Sequence, residues 1–118
     1  MKDQRFIIEM GMGTDLHGQD ATKAATRAVM DALHHSSLAI LSLPGLNRDM
    51  VRVQVTIGVP APGEVKRETI AALLPIGQVS VNVVAGGLRV TGGDALIASA
   101  AVEVFLPPNP TGLRAVAE

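Results

Sequence analysis

The chain has 118 residues, ten basic and eleven acidic side chains, and no cysteine, which excludes disulfides, thiolate metal sites and a cysteine nucleophile. That length suits one domain burying roughly 65% of its unfolded surface. Near-neutral charge without a like-charged block excludes the basic footprint of a nucleic-acid binder.

Along the chain, Arg5 to Met10 alternate, with Phe6, Ile8 and Met10 on one face and Glu9 on the other, and read as a first strand. The stretch GMGTDLHGQD, Gly11 to Asp20, then reads as a glycine-rich loop handing over to a helix. Asp20 stands at the N-cap position. Ala21, Ala24, Ala25, Ala28, Val29, Ala32 and Leu33 follow at spacings of three and four and mark the buried face of that helix. Small alanines there let the helix lie close to a sheet, while Thr22, Lys23, Thr26, Arg27 and Asp31 take the solvated side.

A connection broken at Pro44-Gly45 leads to MVRVQVTIGV, whose strict alternation of β-branched residues is a strand signature. PAPG turns the chain into a weaker helix from Glu64 to Leu74, stopped by Pro75. QVSVNVV is a further strand, Gly86-Gly87 and Gly92-Gly93 flank the short arm LRVT of a hairpin, and ALIASAAVEVFL is the last strand. The predicted fold is α/β: a two-layer sandwich of a mixed four- or five-stranded sheet with the helices on one face, in the order β-α-β-α-β-β-β. Residues 1–106 form the single domain and 107–118 a proline-containing tail. The other sheet face carries Arg52, Gln54, Thr56, Ser80 and Asn82, suited to solvent or to the lining of a ring-shaped oligomer.

The chain is 47% apolar yet has two Phe and no Tyr or Trp, an amount of aliphatic surface hard to hide in so small a monomer. A homo-oligomer is expected. MKDQRF precedes no long apolar stretch, and the longest apolar run, LAILSLPGL, falls far short of the ~20 residues of a membrane span. A cytoplasmic protein without membrane or nucleic-acid partners is the expectation.

The glycine loop is the candidate site. Glycines before a helix N-terminus expose main-chain N–H groups, so Gly11, Gly13, Thr14 and Gly18 are candidates for holding an anion. Asp15 and His17, two apart, can converge on one ligand if the segment is extended. They form a candidate acid–base pair, or a pair of ligands for a divalent metal such as zinc. The duller alternatives are a tight turn at the glycines and a simple cap at Asp20. A dinucleotide fold is excluded because Leu16 stands where the third glycine of G-x-G-x-x-G belongs, and phosphate-loop motifs are absent. No Ser or Thr has the context of a nucleophile. His34 and His35 fall at the far end of the helix, over 20 Å from the loop at ~1.5 Å per residue. Within one chain neither completes a metal site, though a subunit interface could bring His35 to another chain's loop. Arg52 and Arg89 are candidates for binding an anionic substrate only if their faces line a cavity.

GMGTDLHG fits G-x-G-x-D-x-H-G and resembles the N-terminal hallmark of the Lin zero-five-one-two family of small conserved hypothetical proteins. The likeness extends through DATKAATRAVMDAL, IGVPAPGEV, LLPIGQVSVNVVAGGLRV and the last strand. It implies a compact protein and no particular activity. Asp15-x-His17 is also similar to the metal pair of methylerythritol cyclodiphosphate synthases, trimeric enzymes that add a further histidine. This chain is shorter and lacks their threonine-rich C-terminal motif, so that likeness bears on metal binding alone. Three functions fit the residues: a lyase-, cyclase- or hydrolase-type enzyme of small molecules built on Asp15 and His17, a non-catalytic module for a small anion or metal, or a structural protein whose exposed valine face is its interface.

Overall fold

The computed structural model describes residues 4–34, 48–74 and 77–107. Its elements are β1 (Gln4–Asp15), α1 (Ala21–His34), β2 (Arg52–Val59), α2 (Arg67–Ala71), β3 (Gln78–Ala85), β4 (Leu88–Arg89) and β5 (Leu96–Leu106), the predicted β-α-β-α-β-β-β order. The connection expected before β2 lies outside the described residues up to 47, as do His35 and, beyond Pro107, the tail.

The sheet is mixed and five-stranded, in the order β1-β5-β2-β3, with β4 also paired to β5. β5 runs antiparallel to both β1 and β2, while β2 and β3 are parallel. β1 and β2 therefore point the same way, and both present their carboxyl ends at one end of the sheet. The core is aliphatic: Ala24, Ala25, Ala28, Val29 and Ala32 of α1 meet Val53, Val55 and Ile57 of β2 and Ala98, Ala100, Val102 and Val104 of β5. The valine face of β2 is thus buried within the chain.

The hairpin arm is shorter than LRVT, at Leu88–Arg89, and two further elements depart more from the sequence reading. The second helix is shorter than Glu64–Leu74: Glu64 closes a 3-10 turn begun at Pro62, Val65 and Lys66 are extended, and α2 covers only Arg67–Ala71. The first strand is longer and runs through Gly11 and Gly13 to Asp15. Gly11 pairs with Ala100 and Gly13 with Ala98. A Cβ on Gly13 would collide with the Ala24 carbonyl oxygen and the Ala28 amide nitrogen, and one on Gly11 with the same backbone a turn further on, at Ala28 and Ala32. The two glycines let α1 rest directly on the strand backbone.

This contact fixes the orientation of β1. Its glycines face α1, so Ile8, Met10 and Met12 face the uncovered side, and Phe6 stands exposed at a bulge between Arg5 and Ile7; the four are 46–65% exposed. The uncovered face is therefore not simply polar, as Arg52, Gln54, Thr56, Ser80 and Asn82 alone suggest. The outer edge of β1 is also occupied: Asp31 Oδ2 accepts the Met12 N–H at 2.9 Å, and Arg27 donates to the Thr14 carbonyl at 2.6 Å.

Candidate functional site

β1 ends at Asp15, which is 2% exposed and is the one buried charged side chain among the described residues. Its Oδ2 accepts the Asp20 N–H at 2.8 Å, which ties the end of the strand to the start of the helix. Asp20 in turn accepts the Lys23 N–H at 3.1 Å, the N-cap bond its position predicts. Between them the chain reverses through Gly18 (φ 90°) and Gln19 (φ 52°), both in the left-handed region. Gln19 Nε2 fastens this turn to the β4 hairpin through the Gly93 carbonyl at 3.0 Å.

The first turns of α1 supply two cations. Lys23 Nζ lies 3.7 Å and an Arg27 terminal nitrogen 3.8 Å from Asp15 Oδ1, and both side chains are about half exposed. The Asp20 N–H holds the Asp15 carboxyl below the ordinary carboxylate range, helped by Lys23, the His17 main-chain N–H and Arg27, and opposed by burial. Asp15 is thus an ionised anchor whose oxygens are already engaged. His17 is exposed at the rim. Thr14, Asp15, Leu16, His17, Lys23 and Arg27 line an open hollow of about 450 Å³.

A second hollow of about 430 Å³ adjoins it across Lys23 and is bounded by Asp20, Thr22, Glu64, Lys66 and Thr69. Thr22 joins the two loops, donating to the Glu64 carbonyl at 3.3 Å and accepting the Lys66 N–H at 3.0 Å. Arg89 reaches Glu64 at 3.8 Å. Three segments therefore meet at the carboxyl ends of β1 and β2: the 15–20 turn, the 60–66 loop and the β4 hairpin. Ligand sites of open α/β sheets lie at this end of the strands.

Of the expected site residues, Asp15 and His17 share one hollow, one as its buried wall and the other on its rim. Gly18 lies in the turn. Gly11 and Gly13 are strand residues beneath α1, and Thr14 turns its carbonyl to Arg27. His34 ends α1, about 20 Å along the helix from the turn. Among the described residues, no three of His, Cys, Asp and Glu come together as a metal-holding group. Arg52 stacks on Phe105, 3.9 Å from the ring centroid, on the uncovered sheet face away from this hollow. The sequence reading put Lys23 and Arg27 on the solvated side of the helix. Their i, i+4 spacing directly after the cap is the signal that places both on the flank facing the turn.

The family model described as conserved hypothetical protein (Lin0512_fam) matches residues 5–104. The chain belongs to this family. Its members' description carries no activity, and no curated protein matches the chain. The chain is similar to a crystal structure from Nostoc punctiforme, described as an FtsZ-like protein of unknown function. That likeness has 38% identity and a TM-score of 0.76, and covers 90% of this chain and 98% of the other. Among the described residues of this family member, no helix is long and apolar enough to cross a membrane.

Proposed function

We propose that the chain is a binding module for a small anionic molecule, held where the 15–20 turn meets α1. One observation carries this reading: two half-exposed cations, Lys23 and Arg27, border the same open hollow, and Asp15 is the one carboxylate among the described residues that line it. At 3.7–3.8 Å from Asp15 neither makes a tight hydrogen bond to it, and a lysine and an arginine together carry more N–H donors than those contacts use. Gly18 and the first turn of α1 add main-chain donors. Asp15 holds the cations in place and is not itself the reacting group.

A titration followed by amide NMR, using inorganic phosphate and citrate as probes, tests this. Saturable shifts over residues 15–23 are expected, weakening as salt is raised and falling about tenfold in affinity in Lys23→Gln or Arg27→Gln. Absence of saturation, or equal affinity in both variants, overturns it.

A catalytic reading rests on His17, whose exposed imidazole stands on the rim of that hollow, within reach of a bound group. In that reading the chain is a lyase-, cyclase- or hydrolase-type enzyme with His17 as general base and Asp15 as its electrostatic partner. The Asp15–His17 pair fits a divalent metal such as zinc poorly, because both Asp15 oxygens are engaged and two cations stand beside them. Turnover lost in His17→Gln with anion affinity retained supports catalysis; affinity lost in that variant with no turnover detected in the native chain assigns His17 to binding.

A further inference from the structure

We propose that the uncovered face of the sheet docks a second copy of this chain, packed face to face about a two-fold axis. The inference starts from the two sides of β1. In a sheet covered by helices on one face, the large apolar residues belong under the helices and polar ones outside. Here the reverse holds for β1. Glycines face α1, while Ile8, Met10 and Met12, 46%, 65% and 61% exposed, face outward, and Phe6, 51% exposed, stands at the bulge.

The relief of this face is self-complementary. Strand register sets Met12, Ser99, Gly58 and Val84 in one row across the sheet, and Met10, Ala101, Thr56 and Asn82 in the next. Each row descends from a methionine ridge on β1 to small residues on β5 and β2. The resulting trough, about 200 Å³, is bordered by Met10 and Val84 and floored by Gly58, Ser99 and Ala101. Ridge and trough lie side by side on one surface. A two-fold axis beside β5 sets the ridge of each copy into the trough of the other, an isologous contact that a one-sided partner would not require.

Area and charge agree. The exposed parts of the four β1 residues, with Val84 at 42%, amount to on the order of 500 Å² of apolar surface, the upper end for a monomer. Four strands at ~4.8 Å spacing and about nine residues of length give a face of about 550 Å², and its side-chain relief raises the accessible area toward the ~800 Å² per partner of a stable contact. The charges cluster toward the start of β1 and are engaged within the chain: Arg5 pairs with Glu103 at 3.2 Å, and Arg52 covers Phe105. Among the described residues the one charge beside the methionine rows is Asp31 of α1, which borders a hollow with Met10, Met12 and Ser99 and is engaged by the Met12 N–H. One alternative route to self-association, strand addition at the β1 edge, is obstructed by Arg27 and Asp31, which occupy the Thr14 carbonyl and the Met12 N–H.

The test is light-scattering mass of the full chain, for the native protein and for Met10→Lys, Ser99→Arg and Met30→Lys. The native chain and Met30→Lys, altered on α1, are expected at the mass of two chains. Met10→Lys, on the ridge, and Ser99→Arg, in the trough, are expected at the mass of one, with dissociation constants raised about a hundredfold. A measurement free of folding effects uses methyl NMR with a soluble paramagnetic probe: Met10 and Met12 should be shielded relative to Met30 and Met50, although their exposures within one chain are as high or higher. A native chain at the mass of one, ridge and trough variants that keep the native mass, or Met10 and Met12 as accessible as Met30, overturns the proposal.

Discussion

Gly13 and Met12 are neighbours in one strand, and opposite demands act on them. At Gly13 the backbones of strand and helix touch, so the smallest side chain is required. At Met12 a large thioether side chain stands 61% exposed on a face that none of the described helices covers. The helix side of β1 is specified by what cannot fit, while the open side carries apolar bulk left about half exposed. The contrast teaches that a strand's hydrophobic row does not always mark the core of its own chain.

The largest blow to this contrast comes from Gly13→Val. It forces α1 off the strand and should cost about 3 kcal/mol or more in urea unfolding, or abolish folding; a loss under about 1 kcal/mol would show that the helix yields easily. Second in size is Asp15→Asn, which disturbs the anchor of the strand-to-helix turn. The folded pKa of Asp15 is depressed, so its contribution is fully present above the unfolded value of 3.8 and is lost as pH falls through the lower folded value. Thermal unfolding from about pH 7 to about pH 3 should show a shallower acid limb for Asp15→Asn than for the native chain. Arg27→Gln removes the donor to the Thr14 carbonyl and should cost about 0.5–1.5 kcal/mol by urea unfolding. Smallest is Met12→Gln, within about 0.5 kcal/mol when unfolding is followed at a dilution that separates copies. Growth of its effect with protein concentration would locate the value of the open side in association.

Much of the architecture was legible. The alanine spacing of α1 names its buried face, and the valine alternation of β2 names the strand and its inward side. The extension of β1 was not legible, because Gly11 and Gly13 read locally as loop formers. They become strand residues only through a partner some 85 residues away and a helix lying on them, both invisible to local propensity. Alternation put Phe6, Ile8 and Met10 on one side, missing the bulge at Phe6, and did not show which side the helices cover. At the candidate site Asp15, His17 and the cap at Asp20 were found from the motif. Lys23 and Arg27 were passed over because a charge on the polar flank of a helix looks the same whether it faces water or a neighbouring turn.

The position of β5 has a consequence for how the protein is made. It is the last of the described strands, yet it lies between β1 and β2 and pairs with both. A nascent polypeptide that has not yet released residues 96–106 from the ribosome holds α1 and β1 with no neighbour to complete the sheet. Such long-range pairing makes folding slow and late in synthesis. Deletion of residues 96–106 would thus leave a translation product whose β1 has no sheet partner and is aggregation-prone.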